Sequence, residues 1–522
     1  RRVHGERDST YSDVSQPLHI LPFLGTLIDP TAENPMSTIF LLATLLSAFA
    51  CTASRSPFPS TDILDVASSL RQTLSVLSFD SKSIILTSSE QSLIDESLNS
   101  STFSLHLHPR ETLHNAGHPT YSSLVRSRLD RDAARVQSIN LRLQLALEGF
   151  SVQNLKPKQE SVKLFTEDLS IPVVSGSSQG SGEYFGRIGV GTPPKQFYMV
   201  LDTGSDVSWL QCEPCSDCYS QSDPVFNPAS SSSYRQVPCR SNQCQALEMS
   251  SCRSGQCVYQ VNYGDGSYTY GDFVTETLTF TKSPASSVGS IALGCGHDNE
   301  GLYVGSAGLL GLGGGDMSLT SQLRAKSFSY CLVNRDAQGS STLDFNSVMP
   351  GDAVIAPMSR NNRMPTFFYV GLTGLGVGGK LLSIPSNLFE LDEASGDGVI
   401  LDCGTAVTRL HTPAYTALRD AFVSLTRNLK RAGGVALFDT CYDLSGMTSV
   451  KVPTVSFHFA GGQSWMLRAA NYLIPVDASG TYCLAFAPTN SRLSIIGNVQ
   501  QQGTRVSFDL GNKKFGFSVG KC

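Results

Sequence analysis

Charged residues are scarce in this chain of 522 residues, of which only 16% are Asp, Glu, Lys or Arg. About 25% is typical of soluble proteins, and the shortfall, with abundant Gly, Ser and Thr, favours a β-rich extracellular type over a helical cytosolic one. The formal net charge of −5 lacks a basic excess, so no nucleic-acid partner is expected. The end of the chain, Gly520-Lys521-Cys522, carries no hydrophobic tail, and we expect no membrane anchor.

Long apolar runs are also lacking, apart from 12 uncharged residues at 39–50. This run is too short to span a bilayer, and small residues follow it, which is typical of a signal peptide. A buried core helix fits less well because the flanking sequence is polar. We therefore predict a signal peptide over residues 36–53, which begins at the first methionine, and regard residues 1–35 as an untranslated leader or an artefact.

Cysteine, by contrast, is plentiful: beyond Cys51 there are thirteen, and seven of them lie within residues 212–257. The closely spaced Cys212, Cys215 and Cys218 could suggest a zinc site, but no histidine occurs between 119 and 296. Disulfides in an oxidising compartment are the better interpretation, although the spacing does not reveal the pairing. Since thirteen is odd, one thiol should remain free, and Cys403 is the candidate.

Residues 54–175 have the features of a pro-segment. Residues 54–100 are rich in serine and predicted to be weakly structured, and Asn99 is the one glycosylation sequon, so we expect a glycoprotein. Apolar residues recur with a helical period over 120–147, and this stretch carries five arginines. It is either a solvated amphipathic helix or a basic segment that covers an acidic cleft. The arginines are Arg126, Arg128, Arg131, Arg135 and Arg142. Four nearby histidines, interpreted as part of a loose loop and not a metal site, are His106, His108, His114 and His118.

The remainder of the chain alternates short β-branched or aromatic runs with Gly and Asn turns, and the one evident helix is predicted over 413–429. A Gly/Ser-rich stretch at 175–178 should mark the start of this compact part. We predict an all-β, bilobal fold with a cleft between two homologous lobes. The lobes would comprise residues 176–355, including a Cys-rich insertion over 212–257, and residues 356–522.

An internal repeat supports two lobes. Residues 200–210 are echoed by residues 400–410, and each copy places an aspartate, Asp202 or Asp402, after an apolar run and before a residue–Gly–hydroxyl turn. Two carboxylates that are brought together can share one proton and so act as an acid and a base. The repeat therefore predicts acid–base hydrolysis.

Other motifs accompany the repeat: Tyr263-Gly264-Asp265-Gly266-Ser267, and the apolar–apolar–Gly triplets at 309–311 and 495–497. With them, residues 182–522 resemble the pepsin-like aspartic proteases, specifically their plant, nepenthesin-like branch. The resemblance implies a bilobal acid-protease fold and an aspartic endopeptidase that is made as a secretory-pathway zymogen. It implies protein or peptide substrates, a monomer, and no metal or cofactor.

The resemblance also implies a role for each site residue. Asp202 and Asp402 would be the catalytic pair, and Ser205 and Thr405 would each donate a hydroxyl hydrogen bond to one of them. Tyr263 would close over the substrate on a mobile flap with Trp209 as its support. The remaining expected site residues are Gly264 of the flap and Thr203, Gly204, Cys403 and Gly404 beside the pair. Two further acids, Asp206 and Asp265, are interpreted as solvated or structural.

Cys403 departs from the family pattern, which has Ser or Thr at this position so that two hydroxyls brace the catalytic loops. A thiol is a weaker hydrogen-bonding group, and the loss of one such bond costs about 1 kcal/mol. A cysteine protease with His411 as its base matches no motif and is disfavoured. The main rival hypothesis is a catalytically weak or inactive protein that uses the protease fold for binding or inhibition.

Overall fold

The computed structural model describes a large part of the chain, and all of the described residues belong to one unit, Pro57–Cys522. The described ranges are 59–79, 103–113, 117–147, 184–263, 267–280, 286–301 and 303–522. The expected leader, the signal peptide, the glycosylation site Asn99, the Gly/Ser linker, His114, Gly264 and Asp265 lie outside the described residues.

Strands dominate the described residues, as the all-β prediction requires. The strands are β1 Thr61–Asp65, β2 Phe103–Pro109, β3 Tyr184–Val190, β4 Lys195–Asp202, β5 Trp209–Gln211, β6 Arg235–Gln236, β7 Ser250–Arg253, β8 Gln256–Asn262, β9 Tyr268–Thr279, β10 Ser287–Glu300, β11 Gly308–Gly311, β12 Ser327–Cys331, β13 Ser341–Phe345, β14 Val354–Asn361, β15 Met364–Val370, β16 Leu372–Val377, β17 Lys380–Leu381, β18 Gly398–Leu401, β19 Thr408–His411, β20 Arg431–Ala432, β21 Cys441–Asp443, β22 Ser449–Pro453, β23 Val455–Phe459, β24 Ser464–Met466, β25 Leu473–Pro475, β26 Thr481–Leu484, β27 Phe486–Thr489, β28 Leu493–Ile496, β29 Thr504–Asp509 and β30 Lys514–Val519. The helices are α1 Val66–Ser75, α2 Arg110–Leu113, α3 Tyr121–Leu147, α4 Asn242–Gln245, α5 Leu319–Gln322, α6 Thr412–Leu425 and α7 Asn498–Gln501.

The two lobes repeat one arrangement of strands around the aspartate motifs. Strand β4, which ends at Asp202, pairs in parallel with β11, and strand β18, which precedes Asp402, pairs in parallel with β28. The partner strands β11 and β28 contain the apolar pairs of the two apolar–apolar–Gly triplets. The bilobal prediction is confirmed, and each lobe brings its aspartate to the end of a buried strand.

The lobes are joined by a shared sheet. Strand β12 pairs antiparallel with β29, and β14 pairs antiparallel with β30, so strands that are distant in sequence are neighbours in one layer. Aromatic rings pack over this layer: Phe328 stacks on Phe508 with ring centroids 4.2 Å apart. Because the shared layer is buried and hydrogen-bonded along its strands, it holds the two aspartate motifs in a defined relation.

The segment before residue 148 is more ordered than the sequence suggested. Residues 61–75 form β1 and α1, because β1 pairs with β22 and the Asp65 carboxylate caps α1 by accepting from the Ser68 N–H at 2.8 Å. The prediction of weak structure is therefore wrong for this stretch. The loop interpretation is wrong for His106 and His108, which lie in β2 between β13 and β3. In both places, pairing with strands far along the chain orders residues whose local sequence is polar.

Both predicted helices are present. Helix α3 matches the arginine-bearing segment 120–147. Helix α6 begins one residue before Pro413 and ends at Leu425, four residues earlier than predicted. Thr426 leaves the helical conformation while its hydroxyl donates to the Phe422 carbonyl at 2.8 Å, and this ends the helix.

Twelve cysteines form six disulfides, and Cys403 is the free cysteine among the described residues, as predicted. The bonds pair Cys212 with Cys295, Cys215 with Cys218, Cys239 with Cys252, Cys244 with Cys257, Cys331 with Cys522, and Cys441 with Cys483. The three cysteines that suggested zinc are thus oxidised and are not available as thiolate ligands.

Candidate active site

The two repeated aspartates meet in one buried site. Asp202 is 2% exposed and Asp402 is 1% exposed. One guanidinium, that of Arg135 on α3, contacts both carboxylates: its Nη1 donates to Asp202 Oδ2 at 2.9 Å, and its Nε donates to Asp402 Oδ2 at 3.3 Å. The second terminal nitrogen of Arg135 also contacts both carboxylates. Side chains 200 residues apart in sequence (402 − 202) therefore share a single cation.

Each carboxylate receives the local hydrogen bonds that its motif predicts. The Ser205 hydroxyl donates to Asp202, and the Thr405 hydroxyl donates to Asp402 Oδ2 at 2.7 Å. A backbone N–H from the glycine of each motif donates as well, from Gly204 to Asp202 at 2.9 Å and from Gly404 to Asp402 at 3.2 Å. Such donors favour the ionised form of a carboxyl group.

The pKa of Asp402 reflects opposing influences. Burial favours the neutral acid, but Arg135, the Thr405 hydroxyl and the Gly404 N–H hold the pKa of Asp402 below its usual value. With Arg135 in place, the carboxylate is therefore stabilised in its charged form. This arrangement suits an ion pair and not the proton sharing that hydrolysis requires.

The loops that carry the two aspartates brace each other through unequal groups. The Thr203 hydroxyl donates to Asp402 Oδ1 at 3.1 Å and accepts from the Cys403 N–H at 3.0 Å. The Cys403 thiol lies 3.6 Å from the Thr203 oxygen and 3.8 Å from the Leu201 carbonyl oxygen. Thus Thr203 makes strong contacts across the site, whereas the thiol occupies the corresponding position with weaker ones.

Cys403 does not have the surroundings of a nucleophile. Burial, followed by the nearby Asp402, raises the pKa of the Cys403 thiol to about 12, so the thiol stays neutral. The proposed base His411 has its Nδ1 atom 3.2 Å from the Ser491 carbonyl oxygen. The cysteine-protease alternative therefore has no support in the geometry.

Tyr263 lies at the base of the hairpin between β8 and β9, where its N–H donates to the Ser267 carbonyl at 2.8 Å. The Trp209 indole donates to the Tyr263 hydroxyl at 2.9 Å, which is the contact expected from the sequence. Tyr303, which sequence reasoning missed, packs edge-on against both rings, with centroids 5.4 Å from Tyr263 and 5.1 Å from Trp209. Two aromatic side chains, Trp209 and Tyr303, therefore set the position of Tyr263. The flap residue Gly264 lies outside the described residues.

The neighbouring acid Asp206 has a structural role. Its carboxylate accepts from the Gly315 N–H at 2.8 Å and from the Thr366 hydroxyl at 2.6 Å. Burial raises its pKa, and these donors partly offset that effect. Asp206 thus joins the first motif to Thr366 at the start of the second lobe.

Helix α3 crosses the site with most of its arginines buried against the lobes. Arg142 Nη1 donates to the Gly204 carbonyl at 2.8 Å, and its guanidinium lies 5.8 Å from the centre of the Tyr263 ring. Arg128 pairs with Glu111 at 2.9 Å and with Asp336 at 2.7 Å. Only Arg126 among the five is exposed. The interpretation as a solvated helix is therefore wrong for the face of α3 that carries Arg128, Arg135 and Arg142.

A second contact between α3 and the site was also missed from the sequence. The Asp132 carboxylate accepts from the Ala406 N–H at 2.6 Å and from the Val407 N–H at 3.2 Å, and it pairs with the Arg409 guanidinium. Arg409 lies in β19 among apolar neighbours, just after the second motif. A charged residue at such a position requires a partner, but nothing in the sequence indicates that the partner is 277 residues away.

Comparisons with known proteins agree with this architecture. Two family models, described as xylanase inhibitor N-terminal and xylanase inhibitor C-terminal, match residues 184–346 and 367–519. The Arabidopsis thaliana protein ASPARTIC PROTEASE IN GUARD CELL 2 is 49% identical over 432 residues, which cover 82% of this chain and 89% of that protein. Aspartyl protease family protein 2, also from Arabidopsis thaliana, is 51% identical and covers 77% of this chain and 82% of its own length. Aspartic proteinase nepenthesin-2 from Nepenthes gracilis is 38% identical, with coverages of 77% and 87%.

Solved structures share the fold at low identity. The crystal structure of edgp has a TM-score of 0.54 and 20% identity, covering 64% of this chain and 91% of that one. Basic 7S globulin from soybean has a TM-score of 0.52 and 19% identity, with coverages of 64% and 92%. At such identities the likeness concerns the fold alone.

Proposed function

This chain belongs to the plant branch of the pepsin-like aspartic proteases and is an aspartic endopeptidase, and we propose that it hydrolyses peptide bonds at acid pH through a water molecule activated by Asp202 and Asp402. The observation that carries the proposal is the convergence of both carboxylates on one guanidinium, that of Arg135. Once that cation is withdrawn, two buried carboxyl groups remain near each other, each with a hydroxyl donor and a glycine N–H donor.

The chemistry follows from their proximity. Carboxylates about 3 Å apart cannot both ionise at low cost, so the pair retains one proton over an acidic range. The charged member accepts a proton from water, which attacks the peptide carbonyl, and the protonated member donates a hydrogen bond to the developing oxyanion. The leaving amine then takes up a proton. The apparent pKa values of such a pair belong to both groups, and the starting charge is therefore not assigned to either one.

Tyr263 would act as the flap residue in this mechanism. Its ring packs against Tyr303, and its hydroxyl accepts from Trp209, so its position is defined before substrate arrives. A flap that closes over the peptide excludes water and strengthens electrostatic interactions within the cleft. Gly264 would contribute backbone freedom beside it.

The enzyme would be made as an inactive precursor in which residues 54–175 are the pro-segment. Arg135 neutralises the carboxylates, and Arg142 lies against Tyr263, so α3 occupies the positions that a substrate needs. While α3 is docked, the pKa of Asp402 lies below its usual value. The ionised carboxylate therefore stabilises the docking of α3 at neutral pH. That contribution is lost as the pH falls through the lowered pKa, because protonation breaks the ion pair. Acid would thus release α3.

The proposed maturation is that of a secretory-pathway protein: a signal peptide at 36–53 is removed, then the pro-segment, leaving lobes 176–355 and 356–522 as a monomer. Residues 1–35 would be an untranslated leader or an artefact, and Asn99 would be glycosylated. The six disulfides favour an oxidising compartment. Within the part of the chain that the structure describes, no helix has the length and apolar character to cross a membrane. Protein or peptide substrates follow from the family, and no cofactor is invoked.

A second candidate is a catalytically weak or inactive binding protein, which the match to the two xylanase inhibitor family models favours. Against it, both aspartates keep their hydroxyl and backbone donors. Relatives that are 49% and 51% identical are named as proteases. We therefore propose the active enzyme.

The test is cleavage of denatured globin by the chain expressed from Met36 and then acidified. Activity should appear at acid pH and be blocked by pepstatin, and Asp202→Asn and Asp402→Asn should each reduce it to background. Asp420→Asn, an exposed aspartate on α6, is the matched control and should remain active. Thermal unfolding of each variant checks that it folds. Activity that survives either dyad substitution, or an inactive wild-type enzyme after loss of α3, would refute the proposal.

A further inference from the structure

The second lobe contains a receptor for a carboxylate next to the catalytic motif. Two consecutive N–H groups, from Ala406 and Val407, and the guanidinium of Arg409 all point to one carboxylate. The two N–H contacts are 2.6 Å and 3.2 Å long. Backbone donors combined with a guanidinium form a strong recognition pattern for a carboxylate, because each of the bonds is assisted by charge.

The carboxylate that fills this receptor does not belong to the lobe. It is that of Asp132 on α3, and α3 also carries Arg135, which contacts Asp202 and Asp402. The three donor groups, by contrast, lie within residues 406–409, immediately after the second motif. If α3 leaves on activation, as proposed above, the receptor remains with the enzyme and its ligand departs.

Arg409 has an additional polar contact within its own lobe, since its Nη1 donates to the Val407 carbonyl at 2.9 Å. Its ion-pair partner among the described residues is Asp132, and the side chain is 7% exposed with α3 docked. When α3 departs, Arg409 loses this anion, and its guanidinium keeps a positive charge without an ion-pair partner. The two N–H groups and this guanidinium then form a vacated site that is suited to an anion.

We propose that Ala406, Val407 and Arg409 form a substrate subsite that binds the side-chain carboxylate of an Asp or Glu residue near the scissile bond. This rests on the proposed function, because it requires that α3 is displaced and that Asp202 and Asp402 mark the point of cleavage. Arg409 is then a specificity residue: it touches substrate without taking part in the reaction at the scissile carbonyl.

The position of the subsite follows from α3. Asp132 and Arg135 are three residues apart, which is about 4.5 Å along a helix axis. An extended peptide advances about 3.3 Å per residue, so the carboxylate-binding position lies one or two residues from the bond that is cut. A C-terminal carboxylate offers the same chemistry as an acidic side chain, and the substrates described next separate the two.

The first experiment uses the acid-activated wild-type enzyme and a matched peptide series. Each peptide has a fixed bulky apolar pair at the scissile bond, with Glu, Gln or Lys placed one or two residues to either side, and every peptide is amidated at its C-terminus. The loss of a hydrogen bond to a charged group lowers affinity by about 10- to 100-fold. At one position, kcat/KM should therefore be higher by this factor for the Glu peptide than for the Gln peptide. Lys at that position should be the poorest of the three.

The second experiment changes the receptor. Arg409→Leu should bring the Glu/Gln ratio close to one, Arg409→Lys should retain part of it, and Arg409→Glu should shift the preference to Lys. Arg419→Leu, which removes an arginine from the exposed surface of α6, is the matched control and should keep the wild-type ratio. Thermal unfolding identifies any variant that fails to fold, and the wild-type peptide series tests the subsite without a substitution.

The outcomes distinguish the two proposals. If the wild-type enzyme cleaves none of the peptides, the proposed function fails. If it cleaves them with equal kcat/KM for Glu and Gln at every position, the function stands and the subsite is wrong. A preference for Glu that survives Arg409→Leu also overturns the side-chain subsite.

Discussion

The two aspartate motifs have the same local design and different dependence on α3. Each carboxylate accepts from a hydroxyl three residues later and from the N–H of its glycine. Helix α3, however, reaches the first motif through Arg135 and Arg142, and it holds the second motif through Arg135 and Asp132. The internal repeat accounts for the first likeness, whereas the helix contacts come from α3, which lies outside the repeated stretches.

The motifs differ in their bracing as well. Thr203 of the first motif contacts Asp402 and the Cys403 N–H, while Cys403 returns long thiol contacts. The contacts that Cys403 makes to the first loop are thus the weaker ones, and the Asp132 carboxylate adds hydrogen bonds to the second loop. The second motif therefore owes part of its order to contacts with α3. Four predictions test this.

The largest effect is expected from Arg135→Gln, which removes the partner that both motifs share. Two buried carboxylates would then face each other without a cation, which should weaken the docking of α3 by about 3–5 kcal/mol. Hydrogen exchange of α3 at pH 7 should rise, and conversion of the precursor should begin at a higher pH. Arg126→Gln on the exposed face of the same helix is the control. Equal hydrogen exchange of α3 in the Arg135→Gln and Arg126→Gln variants would contradict this role of Arg135.

As the pH falls, strand β2 should be destabilised before the contacts of Asp202 and Asp402 with α3 are lost. Burial, with smaller effects from His106 and Arg187, lowers the pKa of His108 in β2 from 6.5 to about 4. Docked β2 therefore binds fewer protons, so its stability is complete above pH 6.5 and falls as the pH drops towards 4, by about 2–3 kcal/mol. The surrounding groups are Tyr198, whose ring is 5.8 Å away, and the Arg187–Asp223 ion pair.

This is measured as the pH dependence of hydrogen exchange in β2 and α3. Exchange of β2 should rise below pH 6.5, and that of α3 should rise only at lower pH, where Asp402 is protonated. His108→Gln should flatten the first transition, and His106→Gln, at an exposed position of the same strand, should not. A single transition shared by β2 and α3 would show that the contacts of both elements are lost together.

Asp132→Asn should affect the second motif alone. The amide oxygen still accepts from Ala406, but Arg409 loses its ion pair, so α3 docking should weaken by about 2 kcal/mol. The precursor should convert at a higher pH than wild type and a lower pH than Arg135→Gln. Asp130→Asn on the exposed side of α3 serves as the control. If Asp132→Asn raised the pH of conversion more than Arg135→Gln does, Asp132 would contribute more to α3 docking than Arg135, contrary to this prediction.

The smallest effect is expected from Cys403→Ser, which makes the two motifs alike. A hydroxyl in place of the buried neutral thiol should strengthen the brace to Thr203 and stabilise the enzyme by about 1 kcal/mol. Thermal unfolding and kcat at acid pH measure this effect. The comparison is Cys403→Ala, whose side chain has no hydrogen-bond donor. Unchanged stability and rate in the serine variant would show that the brace is unimportant.

Local sequence predicted features that depend on short-range patterns. The strand ends at Asp202 and Asp402, the helix at 121–147 and the free Cys403 could all be read from periodicity, repetition and counting. The order of β1 and β2 could not, because these strands gain their hydrogen bonds from strands more than 70 residues away. Polar serines and histidines resemble a loop until such partners exist.

The site shows the same division. The sequence by itself determined the residue types: two aspartates, each with its own hydroxyl and glycine, because these lie within three residues of one another and the motif was duplicated. Only the tertiary structure decided which charges meet. Arg135 and Asp132 are one helical turn apart, and they contact groups 267 and 274 residues away. Such pairing depends on how the helix packs between the lobes, which no spacing along the chain encodes.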